Sequence, residues 1–559
     1  MTADKNALGD NELVFLPLGG AGEIGMNLNL YGYGPKGDKR WIMVDLGITF
    51  NNGSIPGLDV IMPDPTFIED RRDFLDGIIL THAHEDHIGA VPYLWEELGV
   101  PMYATPFTAT ALRHKLREAG LLKAAEIIEV PLKGSFSVGP FDLELITLTH
   151  SIPEPNAIVI RTPAGVVLHT GDWKFDPDPV IGEVTDHDAL NALGDDGVLA
   201  IVCDSTNVLE EGTSGSEGDL LKSITEVISK CEKRVAVSCF SSNVARIETI
   251  ARAAQANGRS VVLSGRSLQR MVQSAKENGY LKGLPEFLTE DDAAHIPREN
   301  LLIICTGSQG ENRASLYRMA FEEHPRMKLV SGDIVILSSR VIPGNEPGIA
   351  FMHNQLVRRG ISVLTAKDHF VHVSGHPCKD EMLHMYQSIR PKISIPVHGE
   401  YRHLQAHAEL ARTCQVKTAI VGENGTMTRI APGPAEIIDH VPVGRLAYDG
   451  DRLVRVDDEY VRRRTRSLYN GSAVVTVVVD KDGQVRGEPQ ITTTGLLVDG
   501  EDDDLFDDAR DAVFAGVAKL KPQARKHDAE IKEAVRVSVR RVFRQVNKRP
   551  VTDIHVVRI

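Results

Sequence analysis

The sequence predicts an α/β protein of several domains built around a metal centre, and three observations support this. Strand-like apolar runs alternate with helical runs along most of the chain, the signature of α/β architecture. Many of the strand-like runs end in His or Asp. The run Thr81-His82-Ala83-His84-Glu85-Asp86-His87 packs three imidazoles and two carboxylates directly after Ile78-Ile79-Leu80. A buried strand that delivers so many polar groups makes sense when a cation fills the space between them, because buried imidazoles and carboxylates without partners are costly.

At 559 residues the chain exceeds a single core and corresponds to about three or four domains. Hydrophobic and charged contents of 42% and 25% are those of a globular protein. A formal net charge of -15 argues against coating nucleic acid through a global field and confines any such site to a local basic groove. Six scattered cysteines without a CxxC pair suit buried free thiols in a reducing compartment. Met1 to Asp10 lacks a cationic start with an apolar run, and no stretch approaches ~18 apolar residues, so a cytoplasmic protein is expected.

In order, Leu13 to Leu18, Gly19 to Gly25 and Met26 to Leu30 read as strand, glycine turn and strand. Gly20-Ala21-Gly22-Glu23-Ile24-Gly25 also fits the dinucleotide pattern GxGxxG, with Asp45 where a ribose-binding acid falls. That pattern needs a helix opening at the third glycine. Alternating Met26-Asn27-Leu28-Asn29-Leu30 followed by Tyr31-Gly32-Tyr33-Gly34-Pro35 is poor helix material, so a hairpin is expected. Trp41 to Asp45 is a strand whose closing acid is either a partner of a metal ligand or a turn-capping aspartate. Pro92 to Gly99 reads as a short helix and Pro101 to Ala104 as the next strand.

Phe141 to His150, Val166 to Asp172 and Val198 to Asp204 then read as strands ending in His, Asp and Asp. A lone aspartate at a strand end is ordinarily a capping residue. Sites of α/β folds assemble at the carboxyl edge of the sheet, however, and three such endings in succession argue for convergence on residues 82 to 87. Acidic, Gly/Ser-rich Glu210 to Gly218 marks a domain edge. A more uniform α/β segment follows: helix Asp219 to Cys231, strand Arg234 to Phe240, a helix opened by Ser241-Ser242-Asn243 and running to Ala256, strand Ser260 to Leu263, and strands beginning at Leu301 and Asp333. Three of these strands end in small hydroxyl residues, which with free amides can hold a phosphate, although any single one needs no ligand.

Asp368 to Pro377 is expected to return as a strand with His372, Ser374 and His376 on one face, and Ile393 to Glu400 as a strand with His398 near its end. Residues 449–466 read as charged and strand-poor, with Arg462-Arg463-Arg464-Thr465-Arg466 marking a linker or basic arm. In the tail, Ala473 to Val479 and Val551 to Ile559 read as strands, Glu501 to Asp508 as an acidic turn, and Asp528 to Val546 as a helix. Val535, Val539, Val542, Phe543 and Val546 follow helical spacing there. That stripe reads as the core of a small α+β domain, then as an assembly surface, ahead of an RNA-binding helix.

The strand ends supply His82, His84, Asp86, His87, His150, Asp172 and His398. Seven N/O ligands without a thiolate are too many for one tetrahedral ion and suit two divalent ions sharing a carboxylate. Imidazole favours zinc, and the carboxylates keep manganese open. Two such ions can bind a hydroxide between them and neutralise charge on an in-line phosphoryl transition state.

HxHxDH at 82 to 87, followed by His150, Asp172 and His398, resembles the metallo-β-lactamase superfamily. The interruption between Asp204 and His376 resembles its β-CASP branch, whose three extra motifs match Asp204, His376 and His398. The glycine-rich start, His372-Val373-Ser374-Gly375-His376, Pro396-Val397-His398-Gly399-Glu400 and the tail are most similar to the bacterial ribonuclease J group. The resemblance implies a metallo-β-lactamase αββα sandwich (residues 1–212 and 365–448), an inserted α/β β-CASP domain (213–364), a linker (449–466) and a small C-terminal α+β domain (467–559).

It further implies that His82, His84 and His150 hold one metal, that Asp86, His87 and His398 hold the other, and that Asp172 bridges them. His376, oriented by Asp204, would assist the leaving oxygen or steady the scissile phosphate, with Asp86 completing the catalytic set. A 5′-monophosphate pocket would map onto Ser241, Ser242, Asn243 and His372, Val373, Ser374, Gly375 and His376. The implied activity is 5′-to-3′ exonucleolytic and endonucleolytic cleavage of single-stranded RNA in RNA and rRNA processing and decay. The implied partners are a second copy through the C-terminal domain, as a homodimer or higher homo-oligomer, and an RNA-decay assembly, with no membrane. The alternatives are a β-CASP nuclease acting on DNA or only internally, an RNA-binding assembly subunit with an inactive site, and a dinucleotide enzyme.

Overall fold

A computed structural model describes residues 11–559 except 52, 54 and 499, so the reading of Met1 to Asp10 lies outside the described residues. The chain divides into two units, residues up to 52 with Val60–Gly444, and Gly53–Asp59 with Arg445–Ile559. No helix among the described residues is long and apolar enough to cross a membrane.

Among its described residues the first unit contains an eight-stranded sheet in the spatial order Glu436–His440, Thr426–Ala431, Asn11–Gly19, Leu28–Pro35, Arg40–Val44, Leu75–Ile79, Met102–Ala104, Ile127–Glu129. A seven-stranded sheet runs Ser135–Val138, Phe141–Thr147, Asn156–Thr162, Gly165–His169, Ala200–Asp204, Ile393–Val397, Thr418–Ala419. The inner faces share one core, with Phe15, Tyr31, Ile42, Val44 and Ile79 from the first sheet against Phe141, Leu143, Ile158, Val202 and Ile395 from the second. Alternation decides which residues go there: Ala200 and Val202 face this core, while Ile201 and Cys203 face the layer containing Leu190, Met382, Met385 and Tyr386. Strands buried on both faces read as continuous apolar runs for that reason.

The glycine turn is a turn: Asn11–Gly19 pairs antiparallel with Leu28–Pro35, and no helix opens at Gly25. Gly20, Gly22 and Gly25 hold φ of +85°, +89° and +92°, which side chains resist. Two strands nearly 200 positions apart in sequence, Ala200–Asp204 and Ile393–Val397, pair in parallel with Asp204 opposite Val397. Most of the chain between them forms a separate parallel sheet in the order Ser260–Ser264, Leu301–Cys305, Val235–Ser238, Ile334–Leu337, Ser362–Leu364, with its own core. Two helices of this unit matter below, α1 (Glu85–Ile88) and α2 (Val244–Ala256).

The second unit contains helices α3 (Glu459–Asn470), α4 (Asp503–Ala518) and α5 (Asp528–Phe543) and the sheet Gln490–Thr494, Ser472–Val479, Val551–Arg558. Val475, Val477, Val513, Val535, Val539 and Phe543 form its core.

Several expectations change. Residues 371–377 are irregular rather than a strand. Their carbonyls are taken by side chains: Ser338 Oγ donates to Val371 O, Arg246 to Val373 O and Asn207 Nδ2 to His376 O. Residues 449–466 are not a strand-poor linker, because Arg445–Asp449 and Arg452–Arg455 form a hairpin and the arginine run lies within α3. The acidic turn at Glu501 to Asp508 is largely the first turns of α4, where carboxylates favour the helix N-terminus. Val546 is exposed, since α5 has ended at Phe543. All six thiols are free, five buried and Cys414 partly so.

Candidate metal centre

The run 82 to 87 changes backbone conformation midway, and this splits its ligands. His82 and His84 lie in the extended stretch after strand Leu75–Ile79, whereas Asp86 and His87 sit in the single turn of α1. That turn is held by Asn27 N donating to Asp86 O, Leu46 N to His87 O and Ile48 N to Glu85 O. Gly47 permits the approach: a Cβ there would lie 1.7 Å from Asp86 O.

The other donors arrive from the second sheet. Strands Phe141–Thr147, Gly165–His169, Ala200–Asp204 and Ile393–Val397 all run in one direction, so their carboxyl ends share an edge. His150 and Asp172 lie three residues beyond the first and second ends, Asp204 closes the third, and His398 follows the fourth with φ +53°.

The donor atoms form overlapping groups in which every atom lies within 4.8 Å of the others: His82, His84, His150 and Asp172; Asp86, His87, His398 and Asp172; and Asp172, Asp204, His376 and His398. Asp172 belongs to all three. In the first group His84 Nδ1 lies 3.0 Å from His82 Nε2 and 3.1 Å from His150 Nε2. In the second, Asp86 Oδ2 is 3.2 Å from His398 Nε2, and Asp172 Oδ2 is 3.2 Å from His87 Nε2. In the third, His376 Nδ1 donates to Asp204 Oδ2 at 2.8 Å.

The tautomers follow from what the far nitrogens meet. His87 Nδ1 donates to Asp45 Oδ2 at 2.6 Å, and His150 Nδ1 donates to the Gly375 carbonyl. His82 Nδ1 is 3.0 Å from Thr81 Oγ1, whose proton goes to Asp45 at 2.9 Å. His398 Nδ1 is 2.7 Å from Thr206 Oγ1, whose proton goes to Asp204 at 2.7 Å. Four rings therefore have Nδ1 engaged from behind and turn Nε2 inward, the arrangement in which an outer acceptor orients a metal ligand. His84 presents Nδ1 instead, with Ser151 Oγ 3.3 Å from its Nε2.

Burial holds His82 and His150 well below the usual imidazole range and His84 at about 4, all neutral and ligand-competent. Burial also acts against the charged forms of His87 and His398. The carboxylates around them, Asp172 foremost, outweigh it and raise both well above the usual range. Asp86, Asp172 and Asp204 stay ionised, since the neighbouring imidazoles overcome their burial. Burial likewise opposes a charge on His376, but Asp204 and Asp172 raise it.

These donors fit divalent cations. Asp172 Oδ1 is buried without a hydrogen-bond partner, 3.7 Å from His398 Nδ1, and an orphaned carboxylate oxygen is costly. Three imidazole lone pairs meeting around His84 Nδ1 likewise call for a positive charge. Asp86 and His376 keep 30% and 23% of their side chains exposed and His84 is partly exposed, while His82, His87, His150, Asp172 and His398 are buried, so the centre opens to solvent on the side of these three.

The residues expected to bind phosphate are distributed around His150. Asn243 caps α2 by accepting from Arg246 N, and Ala245 N of the first turn donates to the carbonyl of Ser151. Gly375 lies against His150, where a Cβ would be 2.7 Å from Cε1. Ser374 Oγ is spent on Asn207 and the His376 amide, and His372 Nδ1 accepts from Arg246. Among the described residues no hydrogen bond joins Ser241 or Ser242 to the 372–376 loop.

Asp45, open between two readings in the sequence, is the acceptor of His87. Thr81, Thr206 and Asn27, which lies 3.1 Å from His87 Nε2, were not singled out. Thr81 and Thr206 adjoin His82 and Ser205 in motifs already read, so their hydroxyls were findable. Asn27 carries no local signal.

Four family models match: the metallo-β-lactamase superfamily over 31–203, the ribonuclease J β-CASP domain over 232–356, the Zn-dependent metallo-hydrolase RNA specificity domain over 360–421, and the ribonuclease J C-terminal domain over 460–559. The chain is 44% identical over 552 residues to ribonuclease J of Sinorhizobium meliloti, covering 98% of each, and 37% identical over 496 residues to ribonuclease J of Corynebacterium glutamicum, covering 88% of this chain and 68% of that one. A crystal structure of a protein of unknown function from Enterococcus faecalis V583 shares the fold at a TM-score of 0.50 and 18% identity, over 75% of this chain and 100% of that one. A metallo-β-lactamase fold interrupted by a β-CASP domain and extended by a C-terminal domain, around a histidine and aspartate cluster that fits divalent metal, is what these matches describe: the chain belongs to the ribonuclease J family of metal-dependent, hydrolytic ribonucleases.

Proposed function

We propose that the chain degrades single-stranded RNA from a 5′-monophosphorylated end in the 5′-to-3′ direction, and also cuts internally, in cytoplasmic RNA processing and decay. The observation that supports end recognition is the N-terminus of α2 beside the donor set, one hydrogen bond from the residue after His150. The amides of Val244, Ala245, Arg246 and Ile247 are themselves engaged, so what favours a phosphate there is the helix dipole. A terminal phosphate held there would set the scissile bond at a fixed distance from the centre.

In this reading His82, His84 and His150 would hold one cation and Asp86, His87 and His398 the other, with Asp172 available to both. Zinc is the first choice and manganese the second. Two divalent cations, when bound, supply water activation and charge neutralisation at the phosphate. Asp204 and Asp172 favour the protonated form of His376 against its burial, and because Nδ1 faces Asp204, a proton offered to substrate would be on Nε2. That proton stabilises the scissile phosphate or passes to the leaving 3′ oxygen. Thr206 ties Asp204 to His398, so the proton donor and the metal ligand keep one geometry.

End-labelled RNAs of one sequence carrying a 5′-monophosphate or a 5′-triphosphate test this. Successive nucleotide release from the monophosphate form, with the triphosphate form cut only internally, is expected. Equal exonucleolytic decay of both would remove the end-reading pocket, and preferential decay of single-stranded DNA would reassign the substrate.

A further inference from the structure

The second unit holds a cluster of cations that outnumber the carboxylates near them, Asp457 by Arg462 and Glu533 by Arg540. From Ala534 to Thr552 the chain carries six Lys and Arg and no Asp or Glu, and from Tyr460 to Ser472 four Arg and no acid, in a protein of net charge -15. Arg462, Arg466 and Tyr469 of α3 stand at i, i+4 and i+7 and share one face, all exposed, while Val461 is buried. Arg540 and Arg544 stand one turn apart at the end of α5.

The two elements meet, since Lys548 Nζ donates to the Tyr469 carbonyl at 3.1 Å and Arg549 N to Asn470 Oδ1 at 3.1 Å. Neighbouring arginines have counter-ions: Arg463 has Asp553, Arg464 has Asp449 and Arg536 has Glu533. Among the described residues Arg462, Arg466, Arg540 and Arg544 form no ion pair. Burial, Arg536, Arg466 and Arg544 act against the charge on Arg540 and outweigh Glu533, which favours it. Gathering like charges costs stability, and here 68% of Tyr469 is exposed beside them.

We propose that this face of the second unit binds the phosphate backbone of single-stranded RNA and stacks a base on Tyr469, through residues distinct from those of the metal centre. The proposal rests on RNA being the substrate. A strongly acidic protein repels a polyanion at long range and needs a local positive surface to hold one. Arginines interleaved with an exposed aromatic ring are the chemistry that holds single strands without regard to sequence, the guanidinium groups taking phosphates and the ring a base. An acidic protein segment would satisfy the charges and leave the ring without a function.

The test uses the full chain with Arg462→Glu, Arg466→Glu and Arg544→Glu combined, a matched Gln set in case reversed charge prevents folding, and Tyr469→Ala alone. Binding of a nuclease-resistant phosphorothioate 30-mer RNA is followed by fluorescence anisotropy across salt concentrations. The Glu and Gln sets are expected to weaken binding at least about tenfold near 0.1 M salt and to lower the slope of log affinity against log salt by about 2, roughly 0.7 per lost phosphate contact. Tyr469→Ala is expected to cost roughly fivefold with the slope unchanged. Hydrolysis of a five-nucleotide 5′-monophosphorylated RNA should be unaffected in all. Unchanged affinity and slope in a folded charge variant, while the parent binds tightly, would overturn the proposal. So would a variant that keeps its RNA affinity but loses self-association by light scattering, which would make the face a contact between copies of the chain. A parent that neither binds nor cleaves RNA would instead sink the reading on which the proposal rests.

Discussion

Two histidine-bearing segments line the metal centre, and they are held in opposite ways. Residues 82 to 87 follow a core strand and are pinned by backbone hydrogen bonds from the neighbouring loops at 27 and 46–48. Residues 371–377 have no strand or helix of their own and hang mainly on side chains, Arg246, Ser338, Asn207 and the ring of His150, with one backbone bond from Ser374 N to Ser214 O. Backbone pinning survives most substitutions, because any non-proline residue offers the same groups. Side-chain pinning depends on individual residues scattered through the sequence. The loop is therefore the more fragile half of the site.

The largest effect is expected within the rigid segment. Asp86→Ala removes a proposed ligand, so RNA hydrolysis should fall by at least about 10³ and, on the proposed two-ion assignment, bound metal should drop from two ions per chain to one by elemental analysis. Full activity would sink the two-metal assignment. His376→Asn, in the loop, should lower the turnover number by about 10² to 10⁴, the usual range for a lost proton donor, with metal content intact. Parallel loss of metal would instead make His376 a ligand.

Arg246→Met tests the loop's anchor. Arg246 is wholly buried, pairs with Glu217 at 2.7 Å and also holds Ser338, His372 and Val373. Leaving Glu217 buried and unpaired should cost about 3–5 kcal/mol in denaturant titration. Amide exchange should rise in 371–377 and stay slow in 82 to 87; an equal rise in both would erase the contrast drawn above. Asp45→Asn touches the rigid segment from behind and should weaken metal binding by about 10- to 100-fold, read by competition with a chelating dye.

The mildest effect is one of pH. His407 is buried between Ser205 and Tyr386, at 2.8 Å from each, and burial lowers it to about 4. The folded chain thus keeps it neutral where the unfolded chain, near 6.5, takes up a proton. Its stabilising contribution is complete above pH 6.5 and is lost as pH falls toward 4, by at most about 1.4 kcal/mol per pH unit. His407→Gln should flatten that part of the stability curve, and an unchanged slope would remove His407 as its source.

Legibility in the sequence follows the same division. Residues 82 to 87, His150, Asp172 and His398 are readable because polar residues stand repeatedly at or just beyond the ends of apolar strands; any single one would read as a cap. The 371–377 stretch was misread as a strand because its alternation imitates one, while the groups that occupy its carbonyls come from residues 207, 246 and 338. The arginine run at 462–466 looked like a linker because helix propensity is a weak signal beside so many charges, and the Asp449 and Asp553 partners that support it lie outside the run.

By itself, then, the sequence determined most of the core strands, the layer each alternate residue enters, and which polar residues stand at strand ends, because these depend on spacing along one segment. Only the tertiary structure decided which nitrogen of each histidine faces inward, that Asp172 stands in every donor group, and that Asp45, Thr81 and Thr206 orient the rings. Those outcomes depend mostly on hydrogen bonds between residues tens to hundreds of positions apart, such as His87 to Asp45 and His398 to Thr206, which spacing within one segment does not encode.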